Sequence, residues 1–110
     1  MGVSSKGRRH ITYKNQTYVW WVGKNEDDMD RIWLNIISDD KSINLAYRVG
    51  EGDFHIISRG RYFQGKKTSG CWEYYYHQMK ELPMVITPQI VYELISWAVD
   101  GRDAVKVNRR

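Results

Sequence analysis

The segment of residues 59–77 mixes cations with aromatic rings. Its sequence is RGRYFQGKKTSGCWEYYYH, with four basic residues before its first acid, Glu73. Single-stranded nucleic acid is bound by this combination, because bases stack on rings while cations follow the phosphate backbone. The candidate binding residues are Arg59, Arg61, Lys66, Lys67, Trp72 and Tyr75.

The same segment also has a purely structural interpretation, which we favour for most of its rings. Residues 64–70 are polar and bounded by glycines, which predicts a loop. Residues 72–77 favour a strand, with a helix through residues 79–82 as the alternative. Alternate rings of a strand would enter a core while the others shield a sheet edge. The six residues stay a candidate surface, to which Arg48 adds a cation if the strand registers agree.

Cys71 is the only cysteine, so an internal disulfide and a cysteine-rich zinc site are excluded. With His77 or His55 it would form a nucleophile and base pair, and a small hydrolase or transferase of this kind is one alternative function. The local signatures of known cysteine enzymes are missing. An unreactive thiol at the start of a strand is the preferred interpretation.

The sequence predicts no metal site and no cofactor. Its three histidines have no spacing that would bring metal ligands together within one helix or hairpin. The acidic residues 24–30 lack the glycine and the final glutamate of a calcium loop. Nucleotide-binding and hydrolase motifs are missing as well. We therefore expect no catalytic residue and no enzyme.

The formal net charge of +4 is concentrated at the ends of the chain. Residues 1–9 and 108–110 are predicted to be basic tails, and without their five cations the body holds 12 basic and 13 acidic residues. A general DNA-binding face requires cations on the folded body. The body carries only local basic patches, so nucleic acid is an alternative partner and a protein partner is expected first.

The length of 110 residues suits a single domain, here residues 10–107. The first residues lack the apolar stretch of a secretion signal. A bilayer span needs about 20 apolar residues in a row, and the sequence has no such run. We expect a cytoplasmic protein that does not enter membranes.

Turn signals at short intervals predict a mostly antiparallel sheet, a meander of about five to six strands. Residues 11–23 predict a hairpin with its turn at residues 14–16, and residues 31–38, 42–49 and 54–58 predict further strands. In residues 42–49 the predicted inward positions are Ile43, Leu45, Tyr47 and Val49, with Ala46 among the outward ones. Residues 103–107 predict a short final strand.

Residues 87–101 predict one amphipathic helix packed across one face of the sheet, which makes the fold class α+β. Thr87 is the expected N-cap, followed by Pro88 at the first helical position. Gly101 is expected to end the helix, with Arg102 near its negative C-terminal end. The predicted buried stripe is Ile90, Val91, Leu94, Ile95, Ala98 and Val99.

Both ends of the domain resemble a group of short uncharacterised bacterial proteins. These proteins begin with a Y-x-W-x-V hairpin, which Tyr18, Trp20 and Val22 match. They close with a T-P-x-x-V-x-x-L-I-x-x-A helix, matched by Thr87, Pro88, Val91, Leu94, Ile95 and Ala98. The resemblance implies a fold and no activity, so it transfers no functional residues. The middle of the chain, including residues 59–71, is unmatched.

The expected function is therefore a non-enzymatic binding or protein-interaction module, which includes self-association into a homo-oligomer. The small size and the surplus of aromatic surface favour this class over an enzyme. The first alternative is single-stranded nucleic-acid binding through residues 59–77, and the second is the Cys71 enzyme.

Overall fold

The fold is α+β, with one helix packed on an antiparallel sheet. The computed structural model describes residues 8–26, 29–49, 55–69, 73–76, 86–102 and 105–106. The strands are β1 (Arg9–Tyr13), β2 (Gln16–Asn25), β3 (Arg31–Ser38), β4 (Asn44–Arg48), β5 (His55–Ser58), β6 (Tyr62–Phe63), β7 (Lys66–Lys67), β8 (Glu73–Tyr76) and β9 (Val105–Lys106), and the helix is α1 (Pro88–Asp100).

The main sheet has seven strands within the described residues, in the order β1-β2-β3-β4-β5-β8-β9. Every neighbouring pair is antiparallel, so the predicted meander is confirmed. The predicted final strand is β9, which pairs with β8. Strands β6 and β7 form a separate hairpin that leaves the meander between β5 and β8.

Two-residue turns close the first hairpin and the separate one. Lys14 and Asn15 connect β1 to β2 with φ of 48° and 65°. Gln64 and Gly65 connect β6 to β7 with φ of 51° and 75°. Such turns match the right-handed twist of the strands when both central residues adopt positive φ. The turn predicted at residues 14–16 is therefore present but one residue shorter, because Gln16 already belongs to β2 and pairs with Tyr13.

The side of the sheet that faces α1, the first face, holds the main core. Side chains of the middle strands meet one stripe of the helix, and each buried aliphatic side chain stabilises the fold by about 1.5–3 kcal/mol. The buried cluster includes Tyr18, Trp20, Leu34, Ile36, Leu45, Tyr47 and Ile56 from the sheet, and Val91, Leu94, Ile95 and Ala98 from α1. The predicted helix stripe and the predicted inward residues of 42–49 are confirmed, with Ile90, Val99 and Val49 partly buried.

The opposite side of the sheet, the second face, alternates with the first along each strand. Its strand positions include Val19, Trp21, Trp33, Asn35, Ile37, Asn44, Ala46, Arg48, Ile57 and Tyr74. Ala46 was expected to be exposed, and this expectation is wrong because it is 4% exposed. Its methyl group lies between its cross-strand partners Asn35 and Ile57 at the centre of the sheet.

The caps of α1 explain where the helix begins and ends. The Thr87 hydroxyl accepts a hydrogen bond from the backbone N–H of Ile90, and Pro88 follows it, so the predicted N-terminus is confirmed. Gly101 ends the helix with an extended backbone, φ −66° and ψ 163°. This conformation does not require glycine. A Cβ there would lie 2.5 Å from the Trp97 carbonyl oxygen, so the lack of a side chain is a packing requirement.

The β6–β7 hairpin corrects the sequence prediction for residues 64–70. A loop was expected there, but Lys66 and Lys67 pair with Phe63 and Tyr62 as β7. The hairpin packs on α1 through Phe63, whose ring meets Trp97 edge-on with centroids 5.1 Å apart. This tertiary contact stabilises a polar segment that has little strand propensity of its own.

Arg8 and Arg9, which the sequence assigned to a basic tail, belong to the folded part of the chain. Arg9 begins β1. The Arg8 guanidinium lies 4.1 Å from the ring centroid of Trp21, and that of Arg9 lies 5.5 Å from the ring centroid of Trp20. Cation–π contacts of this kind fix both arginines against the sheet.

Candidate functional site

A cleft of about 560 Å³ lies between the β6–β7 hairpin, β8 and the residue that follows the helix cap. Its volume falls within the range of ligand sites, roughly 300–1,000 Å³. We call it the hairpin cleft. Its lining residues are Phe63, Gln64, Gly65, Lys66, Lys67, Thr68, Glu73, Tyr75 and Arg102.

Two aromatic rings form a rigid wall of the hairpin cleft. Phe63 and Tyr75 stack with ring centroids 4.0 Å apart and an interplanar angle of 15°. Phe63 is buried, and Tyr75 lies on the first face beside Ile56 and Ser58 of β5. The stack holds the hairpin against β8. It thereby fixes where β7 presents its two lysines.

The carboxylate of the cleft already has a hydrogen-bond donor. Glu73 is 8% exposed, and its Oε1 accepts a hydrogen bond of 2.9 Å from the Tyr75 hydroxyl. Burial, and next the neighbouring Glu73, raise the pKa of Tyr75 to about 12. The phenol therefore stays neutral at physiological pH and donates to the carboxylate. Glu73 and Tyr75 form a fixed polar pair on the cleft wall.

The remaining charges of the cleft are cationic. Lys66, Lys67 and Arg102 are all exposed. Lysine carries its ammonium on a flexible stem with three donors, and the arginine guanidinium carries five. Arg102 stands just past the C-terminal end of α1, where the helix dipole favours positive charge. Three mobile cations against one hydrogen-bonded carboxylate make the hairpin cleft suited to an anionic group.

The structure brings together some of the six candidate residues and separates others. Lys66, Lys67 and Tyr75 all line the hairpin cleft. Arg61 lies away from it, where its guanidinium donates a 2.9 Å hydrogen bond to the carbonyl of Asp40.

Arg59 and Trp72 complete the set of six. The backbone N–H of Arg59 donates to the carbonyl of Asn44, and strand alternation places its side chain on the second face. The register thus puts Arg59 and Arg48 on the same face. This was the condition under which the sequence predicted that Arg48 would join the candidate surface. Trp72 lies outside the described residues.

Arg102 and Glu73 belong to the cleft but were not candidates from the sequence. Arg102 had been interpreted only as a charge near the helix end, and Glu73 only as the first acid after a basic run. The hairpin that brings β7 beside them is a tertiary feature, so no pattern in the sequence joins residue 102 to residues 66–67.

The proposed cysteine chemistry falls largely outside the described residues, because Cys71 and His77 are not among them. His10 is exposed on β1. Among the residues that the structure describes, no three His, Cys, Asp or Glu side chains are grouped so that they could hold a metal ion. In the same part of the chain, no helix is long and apolar enough to cross a membrane.

A second depression of about 280 Å³ lies beside the β1–β2 turn. The polar groups near it are already used within the fold. Tyr13 donates a hydrogen bond to the Asp100 carboxylate, and Lys14 forms an ion pair of 2.9 Å with the same group. These contacts join the end of α1 to the first hairpin. The depression is therefore a structural junction, and the hairpin cleft is the better candidate site.

Comparison with known proteins assigns no family to the chain. No protein-family model, curated protein or solved structure matches the chain. The resemblance to short bacterial proteins stays a prediction from the sequence.

Proposed function

We propose that the protein is a non-enzymatic binding module whose hairpin cleft holds an acidic segment of a protein partner. The observation that carries the proposal is the convergence of Lys66, Lys67 and Arg102 on one cleft. Cations grouped on one surface attract acidic partners and suppress basic ones.

The hydrogen bonds that the cleft's polar groups make within the protein favour a protein segment over a small metabolite as the ligand. Small-molecule sites fix their ligand with a few rigid, well-placed polar groups. In the hairpin cleft the rigid groups bond within the protein: Glu73 accepts from Tyr75, and the Gln64 amide donates to the Trp97 carbonyl. What remains for a ligand is a set of flexible cations beside an aromatic wall. This arrangement suits several carboxylates on an extended chain.

Binding of a labelled hexaglutamate peptide, followed by NMR chemical shifts and by fluorescence anisotropy, tests the proposal. Shifts should concentrate on β7 and Arg102. The double variant Lys66→Gln with Lys67→Gln should bind roughly two- to thirtyfold more weakly, since each exposed ion pair contributes about 0.2–1 kcal/mol. The affinity should also fall with added salt.

A matched control separates the cleft from net charge. Lys24→Gln with Lys41→Gln removes the same charge from two exposed lysines elsewhere on the sheet, and it should leave the affinity unchanged. Equal weakening by both double variants would sink the proposal. If a mononucleotide shifts the resonances of the cleft and hexaglutamate does not, the ligand of the cleft is a phosphate group and not an acidic protein segment.

Self-association is a second form of the same function. Val22, Met29 and Ile32 are exposed apolar side chains near the β2–β3 turn, and exposed apolar surface often marks an interface. Light scattering at several concentrations should then show a dimer that Ile32→Lys weakens. A strict monomer at every concentration would exclude this form.

A further inference from the structure

Among the side chains that the structure describes, the rings of Trp21, Trp33 and Tyr74 are partly exposed on the second face of the sheet. Trp33 is paired with Gly23, and a Cβ built on Gly23 would lie 4.0 Å from Cδ1 of Trp21. The two indoles therefore flank a residue without a side chain. Diagonal neighbours on adjacent antiparallel strands are about 7–8 Å apart. The second face thus presents two broad rings side by side, with Tyr74 three strands away.

The same face carries arginines. Arg31 and Arg48 occupy its strand positions in β3 and β4, and alternation adds Arg59 after β5. No carboxylate of the described residues occupies a second-face strand position. Glu73, by contrast, pairs with Ser58 on the first face. Glu73 therefore lies on the opposite face of the sheet from Arg31 and Arg48.

Arg8 shows that a flat cation already stacks on this surface. Its guanidinium lies 4.1 Å from the centroid of the Trp21 ring. A guanidinium stacks on aromatic faces and also binds phosphate with a pair of parallel hydrogen bonds. At this position it would bind a phosphate next to a ring on which a base can stack.

We propose that the second face binds single-stranded nucleic acid, independently of the hairpin cleft. Bases would stack on Trp33 and on the Arg8 guanidinium that covers the Trp21 ring, and the arginines would bind the phosphates. A sheet that presents aromatic rings to unpaired bases is an established way to recognise single strands. A duplex keeps its bases stacked inside, so it would offer this face only its phosphates.

Charge argues against a second copy of the chain as the occupant. A two-fold symmetric dimer places the same surface against itself. The arginines of this face would then meet a surface that carries the same arginines, and like charges placed together across an interface cost several kcal/mol. A polyanion with flat bases matches both the charge and the rings.

The proposal predicts how steeply the binding constant falls as the salt concentration rises. Each phosphate contact with a single strand contributes about −0.7 to the slope of log K against log salt concentration. The variant Arg8→Gln with Arg31→Gln should therefore reduce the steepness of the slope by about 1.4. The cleft variant Lys66→Gln with Lys67→Gln loses the same charge from another surface, and it should leave the slope nearly unchanged.

The stacking part is tested by fluorescence titration with a short labelled oligothymidine and the matching duplex. Binding of the single strand should quench tryptophan emission, and the duplex should bind more weakly. Trp21→Leu should weaken single-strand binding roughly 5- to 150-fold, since one stacked base contributes about 1–3 kcal/mol. Tyr92→Leu removes an exposed ring from α1 and should have no such effect. Thermal unfolding of each variant verifies that it folds.

Three results would overturn this assignment. The first is a duplex that binds as tightly as the single strand. The second is a cleft variant that reduces the salt slope as much as the arginine variant does, and the third is a folded Trp21→Leu variant that retains full affinity. A dimer in light scattering that protects the tryptophans from quenching by acrylamide would assign the second face to self-association instead.

Discussion

The side-chain amide of Gln64 donates a 3.0 Å hydrogen bond to the backbone carbonyl of Trp97, a residue 33 positions later in the chain. The backbone N–H of Gln64 also donates to the carbonyl of Ala98 at 2.7 Å. The last carbonyls of a helix lack partners within the helix. The turn of the β6–β7 hairpin supplies a donor to the Ala98 carbonyl and a second donor to the Trp97 carbonyl, which also accepts from the Gly101 N–H. These contacts position the hairpin cleft.

Gln64→Ala should lower the free energy of unfolding by about 1 kcal/mol, because the Trp97 carbonyl loses a partner in a partly buried place. Chemical denaturation measures this change. Gln64→Gly loses the same hydrogen bond, but it relieves the left-handed backbone, which costs a residue with a side chain about 1–2 kcal/mol. It should therefore be close to the parent chain in stability. Gln89→Ala, on the exposed side of α1, is the control and should change stability little.

A pair of glycine substitutions should measure the cost of adding a side chain where the backbone is closely packed. A Cβ at Gly60 would lie 2.4 Å from the Ser42 carbonyl oxygen and 2.7 Å from the Asn44 nitrogen, both of them backbone atoms. Gly60→Ala should destabilise the protein by about 1–3 kcal/mol, as overpacking does.

Gly23→Ala is the matched control, because its Cβ meets nothing closer than 4.0 Å. Thermal unfolding of the two variants measures the difference. If Gly60→Ala were as stable as Gly23→Ala, the close approach between Gly60 and the start of β4 would not hold in solution.

The turn between β3 and β4 should make stability depend on pH. The Asp40 carboxylate accepts a hydrogen bond from the Ser42 hydroxyl, then from the Ser42 backbone N–H and the Ser38 hydroxyl, which together lower the pKa of Asp40 to about 2. The unfolded chain has the ordinary pKa of about 3.9. A lowered pKa in the folded state means that the stabilisation is complete above pH 4 and is lost as the pH falls towards 2.

Urea unfolding of the parent chain and of Asp40→Asn at a series of pH values checks this prediction. The two unfolding free energies should differ at pH 6 and approach each other towards pH 2. Asp39→Asn alters the neighbouring exposed carboxylate and should show no such convergence, since the three hydrogen bonds go to Asp40. A constant difference between the parent chain and Asp40→Asn would contradict the assignment.

Local sequence signals determined the elements of this fold. Alternating apolar residues in 31–38 and 42–49 specified two strands and their inward faces, because one face of each strand is buried by its neighbours and by α1. Thr87, Pro88 and the apolar stripe specified the helix and its start. The β1–β2 turn at Lys14 was also a local signal. Each of these choices depends on side chains close together in sequence.

Only the tertiary structure decided which candidate residues of 59–77 lie in the hairpin cleft and which lie elsewhere. Phe63 contacts Tyr75 and Trp97 from far along the chain, and this packing turns an expected loop into a hairpin that carries Lys66 and Lys67 beside Arg102. Strand pairing likewise placed Arg59 on the second face with Arg48. The cause in both cases is contact between residues distant in sequence, whose free energy depends on the assembled sheet and helix and leaves no periodic pattern in the chain.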